Sequence, residues 1–496
     1  MNPKFFSGLR SVGGIVFIAA LCRCLPRAEA AEEPVQVSVI AFPEKKVCPL
    51  PADFTGLSFE KNTLAARHFD PTNSVLVNLV SNLGTGVLRF GGSAVDTTYW
   101  SRESRKSFPM AQATVGPGNL SRMLAFAAKV HWPVILGLNL GANDPAMAAD
   151  EAAFALSAGP NQVLAFEIGN EPEHFKDGGI RATNYGYANY QQEVGAYISA
   201  MQERCPSVKI AGPATTSNFG WYENFLNDFK GVTVLATRHH YPLTASSKVM
   251  PDNPRYGTVE NLLSAATAAA SQKLMLQHER AAEKAGVPFR VGETGSASMG
   301  GKEGVSDVFA AALWSVDYMF ALVAKGVAGV NFHGYFSCHG YTPFCFTNGN
   351  YHVHPMYYGL LFFQQAAHGN LVAVRQEQDR PANVTAYAMV ALDGRLRIVL
   401  VNKETNRAAM VSVRAGSRYS EAKVSRLTAP SALAAQGITL AGAAVQKDGT
   451  WTARPAEGLA GERGEFSVAL PAASAALVVL EEAGSRQLSM EGLPAN

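Results

Sequence analysis

From about residue 53 to residue 370 the chain repeats one unit: a short apolar segment, then a stretch rich in Ala and Leu with helical period. Eight apolar segments stand out: "GLSFE" (56–60), "GVLRFGG" (86–92), "PVILGLNL" (133–140), "VLAFEIGNE" (163–171), "VKIAGPA" (208–214), "VTVLATRHHY" (232–241), "PFRVGETG" (288–295) and "GVAGVNFHGY" (327–335). Their apolar residues run consecutively rather than alternating, as in strands buried on both faces. Helical stretches such as "NLSRMLAFAAKV" (119–130) and "VFAAALWSVDYMFALVAKG" (308–326) lie between most of them. Strands covered on both faces and each followed by a helix belong in a parallel sheet. Eight of them in succession predict a closed (β/α)8 TIM barrel, an α/β fold, over residues 49–370.

Beyond residue 370 the rhythm changes. "VTAYAMVAL", "GRLRIVLVNK", "AAMVSVRAG", "EAKVSRLTA" and "GEFSVALPAASAALVVLE" read as short strands with turns such as Asp393-Gly394 between them. This predicts a C-terminal β-sandwich over 371–496. "VQVSVIA" (35–41) is a strand with no helix after it, so residues 31–48 are expected to join the sandwich, with the barrel inserted between its first strand and the rest. Residues 1–30 read as a secretory signal peptide: Lys4 and Arg10 flank "VGGIVFIAALC", and "AEA" (28–30) is a small-x-small cleavage site. A retained membrane anchor is the alternative reading. The expectation is a secreted or periplasmic protein with no stable membrane span after cleavage.

Removing Lys4, Arg10, Arg23 and Arg27 together with Glu29 takes the formal charge from +2 to −1. That balance does not support nucleic-acid binding. Of the cysteines that remain, Cys338 and Cys345 lie close together in a polar, aromatic loop. An exported chain lets them pair; the spacing leaves paired and free states open. No Cys/His spacing resembles a zinc site, and neither metal nor cofactor is expected.

Barrel enzymes place their chemistry at the carboxyl ends of the strands. Nearly every segment here ends in polar or special residues: Glu60, Gly91-Gly92-Ser93, Asn139, Asn170-Glu171, His239-His240-Tyr241, Glu293 and His333. Glu171 and Glu293 follow the fourth and seventh strands, which lie across a small barrel from one another. Two carboxylates facing each other over a cleft are what glycoside hydrolysis needs, one protonating the leaving oxygen and one attacking the anomeric carbon. Glu167, inside its strand, is expected to be tied to a neighbouring barrel residue, and Glu173 to sit on the following loop. His174 and His339 read as loop or subsite residues.

Taken together, "LRFGGSAVD", "FEIGNEPEHF", "TRHHYP" and "VGETGSA", with "HGYTPF" and "GNYHVHPMYYGLLFF" downstream, resemble family-79 glycoside hydrolases, the β-glucuronidases and heparanases of the clan-A retaining barrels. The resemblance covers essentially the whole mature chain. It implies Glu171 as general acid/base and Glu293 as nucleophile, with Asn170 on the sugar 2-hydroxyl and Tyr241 orienting Glu293. Glu60 and Asp96 match acidic residues that grip sugar hydroxyls, Ser93 matches a small hydroxyl, and His240 is a site residue near the nucleophile or else a core histidine. For the glucuronate carboxylate it implies Tyr341 with Gly340, Tyr351 as a second contact, and N–H groups at Gly300 and Gly301. Ser298 stands where relatives often place a tyrosine, and Met299 where a glycine is frequent.

The resulting expectation is a secreted retaining β-glucuronidase, exo or endo, acting on glucuronic-acid-containing oligo- or polysaccharide such as glycosaminoglycans. Rival readings are a clan-A retaining glycosidase of other sugar preference, a non-catalytic carbohydrate-binding protein on the same barrel, and an adhesin using the sandwich. The basic stretches "SRESRKS" (101–107) and "HFKDGGIR" (174–181) are either outer subsites for an acidic polymer or solvated loops.

Overall fold

The structure is a computed structural model that describes residues 33–103, 111–391 and 393–482. The signal-peptide reading and most of the basic stretch 101–107 lie outside those residues. Eight parallel strands close a barrel in chain order: Thr55–Glu60, Val87–Gly91, Val134–Leu138, Val163–Ile168, Ile210–Thr215, Thr233–His240, Phe289–Thr294 and Gly329–Gly334, the last pairing with the first. Helices follow every strand, from Ser74–Ser81 after the first to Pro355–Ala366 after the eighth. Among the described residues no helix is long and apolar enough to cross a membrane.

The barrel interior is layered. At the amino ends of the strands Val87, Ile135, Ala165, Ala211 and Leu235 form a small apolar cluster of their own. One side-chain period further along, the inward positions are Arg89, Glu167 and Thr237, and they bond to one another. The barrel thus has an apolar cluster near its floor, with Arg290 bonded to Asn331 beside it, and an ionic layer above. In the seventh strand the pairing register slips between Val291 and Glu293. Such an irregularity re-aims the residues beyond it, and here it presents Glu293 to the interior.

Eleven further strands form one continuous sheet, and six short ones pair off in three two-stranded sheets. Val35–Pro49 lies in the middle of it, antiparallel to Asn370–Gln378 and parallel to Ala409–Arg414. The N-terminal strand therefore does belong to the C-terminal domain. Asn370–Gln378 is a strand that the sequence reading passed over, because its second half is polar and half exposed. The final segment divides into two strands, Glu465–Leu470 and Ser474–Glu482. Inward residues from strands far apart along the sheet, such as Val37, Val411, Val424 and Val478, share one core, so the sheet folds over on itself as a sandwich does.

Helix Phe309–Val323 is buried along its whole length, which explains why it is apolar on all sides. Its one acid, Asp317, meets Lys403 of the sheet at 2.6 Å and accepts bonds from Thr385 and Tyr387. Cys338 and Cys345 are joined in a disulfide; Cys48 and Cys205 are free.

Candidate active site

Arg89 organises the carboxyl end of the barrel. It stands alone as a cation in an otherwise apolar strand and is fully buried. Its Nε donates to Glu167 at 2.6 Å, Nη1 to Glu293 at 2.8 Å and to Ser58 at 3.0 Å, and Nη2 to Asn170 Oδ1 at 3.0 Å. Glu167 also accepts from Thr237 at 2.6 Å. A buried charge must be paired and hydrogen-bonded to be tolerated, and one guanidinium here serves two carboxylates on opposite sides of the barrel. Opposite charges beside it outweigh the effect of burial, so Arg89 is held even more firmly protonated than usual.

Glu293 is gripped from several directions. Tyr241 donates its hydroxyl to Oε1 at 2.7 Å, while His333 and His239 approach Oε2 at 3.5 and 4.0 Å. Burial favours the neutral acid, but the positive fields of His333, His239 and Arg89 and the Tyr241 bond together overcome it, holding the carboxyl well below the usual range. His333 shows the reciprocal effect: burial lowers its pKa, and Glu293 and Glu60 more than restore it. Glu60 meets His333 at 3.4 Å and accepts the Ala94 amide at 2.7 Å, keeping part of its carboxylate in the open.

Glu171 stands opposite, with a side chain 27% exposed against 8% for Glu293. His239 Nδ1 contacts its Oε1 at 2.7 Å. One carboxylate oxygen of Glu171, one of Glu293 and a ring nitrogen of His239 all lie within 4.8 Å of each other. Glu171 has the left-handed backbone φ of 49°, two residues after Gly169 at 77° and directly before Pro172, and its amide donates to the carbonyl of Ala214, which has φ 58° at the end of the fifth strand. A non-glycine residue in that region is strained, and the strain needs surrounding structure to hold it. The clamp is visible. Asp96 Oδ1 accepts the amides of Leu140 and Gly141, and Oδ2 that of Asn170. Glu173 Oε1 accepts the amides of Thr216 and Ser217.

These contacts revise several expectations. Asp96 is buried, with both oxygens engaged by backbone N–H groups; it fixes the Asn170 loop and does not grip a sugar. Burial pushes it up to about 7 in spite of those amides. Glu173 does sit on the loop after the fourth strand, where it is buried and pinned to the neighbouring loop. His240 points out of the barrel, where Nδ1 meets the Tyr318 hydroxyl at 2.9 Å and the two rings stack. Side chains alternate along a strand: Leu235, Thr237 and His239 face the axis, so Ala236, Arg238 and His240 face the helices. Of the two histidines, His239 is the one in the site. Tyr351 bonds to His68 and Asn73 in an aromatic cluster with Phe336 and Phe346, so its hydroxyl is committed there.

The other candidates lie at the ends of the barrel strands or on the loops that follow them. Asn170 spends its carbonyl on Arg89, which leaves its NH2 group to donate. Ser93 is exposed at the rim. Tyr341, 5% exposed, has its hydroxyl 3.3 Å from that of Tyr241. Gly300 and Gly340 both have positive φ and pack backbone to backbone; a Cβ on Gly340 would strike the Gly300 carbonyl. That carbonyl accepts the Tyr335 hydroxyl. Ser298 bonds to Thr244, and Met299 is largely exposed. In the stretch 174–181, Arg181 pairs with Glu193 and donates to the Leu140 and Gly141 carbonyls, so its charge is absorbed by loop packing. Sequence reasoning missed Arg89, His239 and His333 as site residues. Arg89 left a usable signal, a single charge within a strand buried on both faces.

Comparison with known proteins follows the same lines. The chain matches the model of the glycosyl hydrolase family 79 N-terminal domain over residues 134–319 and that of the family 79 C-terminal beta domain over residues 386–477. A beta-glucuronidase of Neurospora crassa is 25% identical over 303 residues, a match covering 53% of each chain; the chain thus spans about half the length of that relative. Among solved structures, a 4-O-alpha-L-rhamnosyl-beta-D-glucuronidase from Fusarium oxysporum 12S superposes with a TM-score of 0.73 at 22% identity, over 89% of this chain and 100% of that one. A family 51 arabinofuranosidase from Xanthomonas axonopodis pv. citri gives 0.67 at 15% identity, over 90% and 100%. At those identities the likeness is one of fold.

Proposed function

The chain belongs to glycosyl hydrolase family 79 and is a glycoside hydrolase of β-glucuronidase-like type, and from that premise we propose that it hydrolyses β-linked glucuronic acid with retention of configuration, using Glu293 as nucleophile and Glu171 as acid/base. The observation that carries this reading is the closeness of the two carboxylates, with oxygens within 4.8 Å. Retaining enzymes hold theirs about 5–5.5 Å apart, while inverting enzymes need roughly 6.5–9.5 Å to admit a water.

In the first step a Glu293 oxygen bonds to the anomeric carbon as the glycosidic bond breaks, and the Glu171 proton passes to the leaving oxygen. In the second, Glu171 takes a proton from water, the water oxygen bonds to the anomeric carbon, and the Glu293 carboxylate departs. Arg89, His333 and Tyr241 keep Glu293 anionic and fix its direction of attack. The 2.7 Å contact with His239 gives Glu171 a partner for the proton it loses and regains. The free NH2 of Asn170 is placed to donate to the sugar 2-hydroxyl. The Tyr341 hydroxyl, beside Tyr241, is the contact assigned to the uronate carboxylate, together with backbone N–H groups around Gly300 and Gly340. Export through residues 1–30 and action on glucuronic-acid-containing glycans complete the proposal.

Wild type is expected to release the phenol from an aryl β-glucuronide, and Glu293→Gln to be slower by on the order of 10^4-fold or more. Parallel product analysis on heparan sulfate and hyaluronan separates endo from exo action. Should the aryl β-glucuronide and both polymers stay intact while another aryl glycoside is cleaved, the sugar assignment falls.

A further inference from the structure

A cavity of about 670 Å³ opens beside Glu171 and runs behind the sixth strand toward helix Ala265–Ala285. Glu171, His239 and Tyr241 form its inner edge; Glu293 is not among its lining residues. Two arginines line it. Arg255 is exposed, and its guanidinium donates from Nη2 to the Tyr241 carbonyl at 3.3 Å. Arg238 is 4% exposed. Its Nη2 donates to the Thr216 carbonyl, but among the described residues its Nε and Nη1 have no hydrogen-bond partner.

That arrangement is costly in the free protein. Burial, with like-charge repulsion from Arg255 added to it, brings Arg238 down to about 10. Tyr318, Tyr222 and Glu173 oppose this; Glu173 gives Oε1 to the Thr216 and Ser217 amides, and its buried Oε2 makes no hydrogen bond to Arg238 or to any other described residue. A guanidinium presents its donors as a planar fork suited to carboxylate or sulfate oxygens. Two such donors are vacant here, in a cavity of the size that holds a small ligand.

We propose that this cavity is a second anion subsite, in which Arg238 and Arg255 bind a carboxylate or sulfate carried by the leaving-group side of the substrate. The side follows from the chemistry: the acid that protonates the leaving oxygen faces the group that leaves, and Glu171, not Glu293, borders the cavity. The inference rests on the reading of Glu171 as that acid, and it deepens the substrate assignment: the enzyme selects a substrate anionic on both sides of the scissile bond.

The test compares phenyl, 3-carboxyphenyl and 3-sulfatophenyl β-glucuronides on the full-length enzyme. The quantity read is kcat/KM for each anionic substrate divided by that for the phenyl one. Wild type is expected to show a higher ratio than Arg238→Met or Arg255→Gln, by about tenfold or more for Arg238→Met, and the substrate with the larger ratio tells carboxylate from sulfate. Arg255 is exposed, so its variant folds whatever becomes of Arg238→Met, and its ratio must fall as well. Ratios equal across wild type and both variants would overturn the subsite while phenyl glucuronide turnover keeps the glucuronidase reading intact. If phenyl glucuronide is inert and another aryl glycoside is cleaved, the same ratio is measured on that glycoside, with the same two outcomes.

Discussion

The two ends of the barrel are built from the same eight strands yet obey opposite rules. At the floor, Val87, Ile135, Ala165, Ala211 and Leu235 form an apolar cluster, beside which buried Arg290 donates to Asn331 at 2.6 Å. Two residues on, Val87 gives way to Arg89, Ala165 to Glu167 and Leu235 to Thr237, and the interior becomes a hydrogen-bonded set of charges. The apolar cluster needs only volume and apolarity, and similar residues can replace one another there at modest cost. The upper layer needs particular partners, because removal of one leaves the rest buried and uncompensated.

Arg89→Met should break that contrast most severely. It leaves Glu167 and Glu293 without their shared cation, and a loss of about 3–5 kcal/mol in unfolding free energy is expected from denaturant titration near neutral pH. A loss under 1 kcal/mol would show that the layer is not held by the arginine. A smaller effect, about 2–3 kcal/mol, is expected for Leu235→Ala at the floor. That variant should keep the KM of the wild type wherever it remains folded, since the cavity it creates lies below the ionic layer; a raised KM would mean the two layers are coupled.

The pH dependence sharpens the comparison further. Glu293 titrates below its unfolded value of about 4.3. Its contribution to stability is therefore fully present above that pH and is lost as pH falls through the depressed folded value. The acid limb of kcat/KM should accordingly lie below pH 4.3, and Tyr241→Phe should move it upward by removing one bond to the anion. A limb that does not move would show that Tyr241 does not stabilise the charge.

The smallest effect belongs to His240. Its outward bond to Tyr318 is worth about 1 kcal/mol, so His240→Phe should lower stability by that amount with little change in kcat. His239→Phe, one residue away, should lower kcat instead. Equal kinetic effects would contradict the alternation of the strand.

Much of this was legible in the sequence. The run of eight doubly buried strands specified the barrel, and Asn170-Glu171 and Glu293 at strand ends specified the carboxylate pair. What escaped notice has physical causes. Adjacent histidines cannot be sorted until the inward phase of their strand is known, and Thr237 bonded to Glu167 supplies that phase only in three dimensions. Asp96 stands next to site residues in sequence, but its oxygens are taken by amides from the third and fourth strand ends. Tyr351 lies in "GNYHVHPMYYGLLFF", a stretch read as resembling the family, yet its hydroxyl is committed to His68 and Asn73. Arg238 was hidden within "TRHHYP" because nothing linear says that its donors find no acceptor.

The central claim is that Glu171 and Glu293 stand close enough for a covalent double displacement. Proton NMR of an aryl β-glucuronide during the first minutes of hydrolysis tests it most directly, before the released sugar equilibrates. The account predicts that β-glucuronic acid appears first and the α-anomer only later, by mutarotation. Initial appearance of the α-anomer would mean that water attacks directly, and would contradict the role given to Glu293.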